Sequence, residues 1–307
     1  MSFAQVYTRS VVGLNAPSVM VEVHLSQGLP AVTIVGLPEA AVRESKDRVR
    51  SAIINAGFSF PNRRLTINLA PADLPKDGAR LDLPIAIGIL AASGQLDDSQ
   101  LAGYELIGEL ALNGELRPVT GALAVARAIK SDNKQPRQLI LPLANAQEAA
   151  QVDGVSALPA EHLKTVCQHL QGDTSINPAV HRAHYQVNHY SVDLADVKGQ
   201  QQARRALEIA AAGGHSLLFC GAPGTGKTLL ASRLPTILPP LSDDEALEVA
   251  SIYSVANADY AYGTRPFRQI HHTTSAVALV GGGSSPRPGE ITLANQGVLF
   301  LDEIAEF

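Results

Sequence analysis

Cysteine is scarce in this 307-residue chain, where Cys167 and Cys220 are the only two and lie far apart. That excludes a disulfide framework and fits a reducing compartment. No apolar run reaches the ~18 residues needed to span a bilayer. The opening stretch has neither a basic region leading into an apolar run nor a small-residue cleavage pattern, so the expectation is a cytoplasmic protein with no membrane partner. Positive charge is not in excess either, with a formal net charge of -5 and a pI near 6.0. Any nucleic-acid contact must then come from a local patch or a ring of subunits. Internal repeats and low-complexity tracts are absent too.

What remains is ordinary globular material, 46% hydrophobic and 17% charged, and long enough for about two domains with cores of their own. Residues 19–25 and 31–35 read as strands. A helix follows, with Pro38 in its first turn, Val42, Val49 and Ile53 on one face and a stop at Gly57. Its charged side (Arg43, Glu44, Lys46, Asp47, Arg48 and Arg50) reads as a solvated surface. Residues 64–69 read as a strand. A buried helix then runs through Ile85, Ile87, Ile89 and Leu90 to Gly94, with Asp82 as its N-cap and Pro84 close behind. Asn113-Gly114 predicts a hairpin with a tight two-residue turn. This alternation makes residues 1–172 a mixed α/β domain. Residues 173–190, polar and carrying Pro178, His181, His184 and His189, read as a linker, and residues 191–307 as a second domain.

Residues 221–228 read Gly221, Ala222, Pro223, Gly224, Thr225, Gly226, Lys227 and Thr228, a full match to the phosphate-binding loop G-x-x-x-x-G-K-[ST]. The apolar run 216–220 before it and residues 229–234 after it predict the context strand, loop, helix. The glycines let successive N–H groups turn toward phosphate oxygens, Lys227 reaches the β- and γ-phosphates, and the Thr228 hydroxyl ligates magnesium. A second apolar run, 298–301, ends in Asp302 and Glu303. Asp302 is expected to hold the metal and Glu303 to polarise the attacking water, a catalytic role. The cofactors expected are ATP and Mg2+. His271 and His272 are adjacent and diverge on a helix or strand, and no third ligand is expected nearby, so a metal role is not expected of them.

Three stretches resemble the magnesium-chelatase-like AAA+ proteins of the YifB or competence-associated ComM type: residues 196–200 before the helix 203–215, the phosphate loop, and residues 266–303. The resemblance implies that 197–200 lie near the adenine and that a hairpin is inserted between the two nucleotide motifs, centred on 281–288. There Arg287 is the candidate DNA contact, facing the pore of a homo-hexamer and meeting phosphates without reading sequence. Residues 1–172 resemble the proteolytic domain of Lon, with the fold of the second domain of ribosomal protein S5, at Pro75-Lys76-Asp77-Gly78 and at 108–123. Where Lon has its serine and lysine this chain has Ala79-Arg80 and Leu123-Ala124, so a noncatalytic relative is implied.

The fold class expected is therefore α/β: a Lon-protease-like domain followed by an incomplete P-loop AAA+ domain. Only four residues follow Glu303, and the resemblance implies a sensor strand, an arginine finger and a helical lid beyond that point. The expectation is a C-terminally shortened chain that turns ATP over poorly by itself. The resemblance places the sensor strand between the strand before the phosphate loop and the one before Asp302, so without it backbone groups are expected to be left unpaired or edges open. The leading function is a DNA motor of helicase or branch-migration type in natural transformation or recombination. The alternatives are a magnesium-chelatase subunit for porphyrin metallation, an ATP-dependent protease, and a noncatalytic remnant.

Overall fold

The computed structural model forms two compact units, Met1–Arg182 and Ala183–Phe307. It describes residues 3–76, 78–132, 137–180, 190–282 and 287–306. Asp77, the linker histidines His181, His184 and His189, and loop residues 283–286 lie outside these.

The first unit runs β1 (Phe3–Arg9), β2 (Ser18–Ser26), β3 (Ala31–Val35), α1 (Ala40–Asn55), β4 (Arg64–Ala70), α2 (Asp82–Ala92), β5 (Tyr104–Leu106), the short pair β6 (Glu109–Leu110) and β7 (Leu116–Arg117), α3 (Ala122–Ser131), β8 (Gln138–Pro142), α4 (Ala146–Ala149), β9 (Ala157–Ala160) and α5 (Leu163–Gln171). Alternation decides the face each strand buries. In β2, Val19, Val21, Val23 and Leu25 are buried; in β4, Leu65, Ile67 and Leu69 are. Pairing keeps those faces together, with Val6 opposite Val21 and Val21 opposite Leu69. The seven-stranded sheet has the order β3-β4-β2-β1-β5-β8-β9, antiparallel at β4-β2-β1 and parallel elsewhere.

Helix α2 is buried along its whole length, as its apolar run from Leu83 to Ala92 requires. Gly88 lets it approach the sheet, since a Cβ there would come within 2.7 Å of Val23 Cγ2. At the β1–β5 junction a buried charge network crosses the sheet. The Arg9 guanidinium donates to both Glu105 oxygens, at 2.6 and 2.9 Å, and to Ala16 O at 3.1 Å. Arg137 adds a second cation to Glu105 at 3.5 Å and lies over the Tyr7 ring.

Several local expectations need correction. Helix α1 starts at Ala40 with Glu39 as N-cap, so Pro38 precedes the helix and bridges to Lys76 instead. Asp82 is the first residue of α2 rather than its cap. Its carboxylate accepts from Arg48 Nε at 2.9 Å and from the Leu110 N–H at 3.3 Å. Burial, opposed by Arg48, pushes Asp82 up to about 6. Arg48 is thus an ion-pair partner and not part of a solvated face, whereas Glu44, Lys46, Asp47 and Arg50 are exposed. The hairpin turn has three residues, not two. Ala111 N donates to Glu115 O and Gly114 N to Ala111 O, with only Gly114 at positive φ (+93°), the type I turn plus bulge that Asn-Gly also satisfies.

The second unit runs α6 (Gln201–Gly213), α7 (Lys227–Ala231), α8 (Leu234–Ile237), α9 (Asp243–Ala256), β10 (Phe267–Ile270), α10 (Ala276–Val280), the hairpin β11 (Gly281–Gly282) and β12 (Arg287–Pro288), α11 (Glu290–Leu293) and β13 (Val298–Leu301). Ser242 and Glu245 form a capping box at the start of α9. The apolar contacts fall into small groups, one around Leu194, Val197, Leu207 and Leu230 and another around Leu241, Val249, Ile252 and Tyr253. β10 and β13 pair in parallel as a two-stranded sheet. The expected strand at 216–220 does not form. Among the described residues no strand pairs with that stretch, and Leu218 is 71% exposed. An apolar run becomes a strand only where a ladder partner is available. Among the described residues, no helix is long and apolar enough to cross a membrane.

Candidate functional site

The phosphate-loop glycines Gly224 and Gly226 take φ of +80° and +87°, a conformation open to glycine at no steric cost. Thr225 Oγ1 donates to Ala222 O at 2.9 Å across the loop. Lys227 starts α7, and its ammonium folds back onto the loop, donating to Gly221 O at 2.9 Å and Ala222 O at 3.1 Å. Gln200 reaches Thr225 O at 3.4 Å. The stretch 196–200 therefore touches the loop, anchored by buried Val197 and turned by Gly199 and Gln200 at positive φ.

β13 places the acidic pair. Phe267, Arg268, Gln269 and Ile270 face Val298, Leu299, Phe300 and Leu301 in order, and Asp302 N donates to Ile270 O at 3.3 Å. Arg268 fastens β10 to α11 through a two-point pair with Glu290 at 2.6 and 2.8 Å. One cleft of about 1580 Å³ is lined by Gly224, Gly226, Lys227, Thr228, Asp302 and Glu303, together with His272 and the extended stretch 216–220. The structure thus brings together the loop amine and alcohol and both carboxylates. Arg287 does not line this cleft. It is exposed on β12, where it pairs with Gly282.

A feature missed at the sequence level is the partner of Glu303. His272 Nδ1 lies 2.9 Å from Glu303 Oε2, so the expectation that no third ligand stands near the two histidines is overturned. The legible signal would have been spacing. If the runs 267–270 and 298–301 pair in parallel, positions two past each end come side by side.

In the first unit, the place of a Lon-type serine holds Ala79, and the neighbouring Arg80 donates to Thr120 O at 3.1 Å and to Thr120 Oγ1 at 3.3 Å. Leu123 and Ala124 are buried apolar positions of α3. Lys76 is buried with its ammonium on Pro71 O, and Gly78 turns at φ +80°. None of these side chains can attack a carbonyl with an activated hydroxyl.

Two family models match the chain: magnesium chelatase, subunit ChlI, over residues 193–307, and subunit ChlI of Mg-chelatase over residues 21–145. The whole chain is 54% identical to the uncharacterized protein YifB of Escherichia coli (strain K12), covering 60% of it, and 52% identical to the competence protein ComM of Haemophilus influenzae, covering 61%. It thus spans about 60% of the length of these curated relatives. A weaker match, 24% identical over 60% of this chain and 35% of the relative, is to Lon protease 2 of Bacillus subtilis.

Proposed function

This chain belongs to the magnesium-chelatase-like family of the YifB and ComM type, and from that membership we propose that its second unit binds ATP with magnesium as part of an ATPase acting on DNA. The observation that carries the nucleotide reading is the shared cleft, with an amine, an alcohol and two carboxylates at Lys227, Thr228, Asp302 and Glu303. Its volume of about 1580 Å³ exceeds the ~300–1,000 Å³ of common ligand pockets, so a nucleoside triphosphate has room. Lys227 would exchange the carbonyls of Gly221 and Ala222 for phosphate oxygens, and the turned loop would present its N–H groups. Thr228 and Asp302 are the hard oxygen donors that would hold magnesium, which would supply charge neutralisation at the transferring phosphoryl group. Glu303 would orient the attacking water and accept its proton.

On this reading copies of the chain assemble into a homo-hexamer in the cytoplasm. The hairpins β11–β12 would then bring Arg287 to a DNA backbone, contributing affinity without sequence preference. The competence protein among the relatives supports the DNA direction.

The test of the nucleotide part is binding of labelled ATP, with magnesium, to this chain and to Lys227→Ala. The variant should bind roughly 10–150-fold more weakly, the worth of one hydrogen bond to a charged group; equal binding sinks the reading. For the DNA part, ATP turnover by the complete protein is measured with and without DNA. Stimulation that weakens in Arg287→Ala supports the motor, and indifference to DNA removes it.

A further inference from the structure

Beyond the nucleotide reading, we propose that His271, His272 and Glu303 form a site for a zinc-class transition-metal ion at the edge of the cleft. The register creates it. Ile270 is opposite Leu301, and two residues further along each chain stand His272 and Glu303. Past the end of β10 the backbone turns, with Thr274 N donating to His271 O at 2.9 Å. Adjacent side chains that would diverge on a strand are therefore gathered, and the two imidazole rings lie 4.1 Å apart. One donor atom from each of the three residues falls within 4.8 Å of the others.

Three details favour a shared ion over a simple ion pair. His272 Nδ1 and Glu303 Oε2 are 2.9 Å apart, yet the buried Nδ1 makes no hydrogen bond among the described residues. At that distance the oxygen must lie off the N–H line, so the two atoms converge rather than bond. Donors on one tetrahedral zinc at about 2.0–2.1 Å stand roughly 3.3 Å apart. His271 and Glu303 are exposed and free to close the remaining gap. Second, His271 Nδ1 is engaged by Thr273 Oγ1 at 3.0 Å. The Thr273 N–H also points at this nitrogen, at 3.5 Å; once Nδ1 carries the ring proton, the hydroxyl would accept it and leave Nε2 for the metal, as the outer partners of metal-binding histidines do. Third, the donor set is two imidazoles and one carboxylate, which suits zinc and its neighbours and not magnesium, whose ligands are oxygens. Three protein ligands leave a position open, and His272 and Glu303 both line the nucleotide cleft. A metal here would therefore engage the carboxylate proposed to polarise water.

The experiment uses the full chain freed of metal by chelation and titrated by calorimetry with Zn2+ in excess Mg2+, and separately with Co2+ while its visible ligand-field absorption is followed. Saturable binding with a tetrahedral Co2+ spectrum is expected, weakened at least tenfold by His271→Ala and by His272→Ala. Thr273→Val keeps all three ligands and should weaken binding by about 10–100-fold. Circular dichroism verifies that each variant folds. The proposal fails if Zn2+ binds no more tightly than Mg2+. It also fails if His271→Ala binds Zn2+ like the parent chain, since His272 and Glu303 are then only an ion pair. Because ATP is absent throughout, failure of the nucleotide reading would leave these results unchanged.

Discussion

The two units differ in how they bury apolar surface. In Met1–Arg182 a seven-stranded sheet and the fully buried helix α2 share one continuous core. Among the described residues of Ala183–Phe307 the sheets have two strands each and the apolar side chains fall into small separate groups. Yet every group proposed for nucleotide chemistry stands in the second. Continuous burial secures a scaffold, whereas a cleft that must admit a large ligand leaves polar side chains and backbone in the open, where local stability is low.

That contrast can be broken most sharply at the β1–β5 junction. Glu105→Ala leaves the buried Arg9 guanidinium with only the partly exposed Asp132 carboxylate, at 3.3 Å, and Ala16 O as partners among the described residues, and should cost about 3 kcal/mol, the lower end for a broken buried pair, read as a fall in the urea midpoint for the first unit. A loss below 1 kcal/mol would mean that water reaches the junction. Comparable in size, Ile87→Ala in α2 should lie toward the upper part of the ~2–5 kcal/mol range for core truncations, and Ile252→Ala in α9 toward the lower, because the smaller group can collapse onto the gap. Equal losses, measured by chemical denaturation, would erase the distinction between the cores.

A subtler probe is acid. Burial pushes the folded carboxyl of Asp82 up from its ordinary 3.8 to about 6, so between these limits the folded chain holds more protons than the unfolded one. Its contribution to stability is therefore greatest below about pH 4, declines as pH rises toward 6, and is flat beyond. Asp82→Asn should remove this slope from urea midpoints measured across the window, and an unchanged slope would assign it to another group. The smallest effect belongs to Arg205→Ala. Its exposed contact with Glu208 at 2.8 Å should matter by no more than about 0.5 kcal/mol; a larger shift in the thermal midpoint would show that α6 relies on its surface charges.

Alternation made β2 and β4 legible, because a period of two with a buried face leaves no second solution. Asp82 misleads for a physical reason: an acid just before an apolar helix looks like a cap, and its actual partners, Arg48 and the Leu110 N–H, stand 34 and 28 positions away. Residues 216–220 carry the composition of a strand, but pairing is a property of neighbours that composition does not contain. The phosphate loop is legible as a local pattern. That Lys227, Thr228, Asp302 and Glu303 line one cleft depends on how distant segments pack. The approach of His272 to Glu303 depends on the register of two strands about thirty positions apart, a quantity no local pattern carries.

The parallel register of β10 and β13 acts like a pair of rulers laid edge to edge. Because both arms run the same way from matched starting marks, adding one residue within 267–270 would slide His271 to the place where His272 now meets Glu303. Adding one within 298–301 would instead bring Asp302 to that place. The lengths of these arms are locked to each other, so that a deletion in one could be repaired only by a matching deletion in the other.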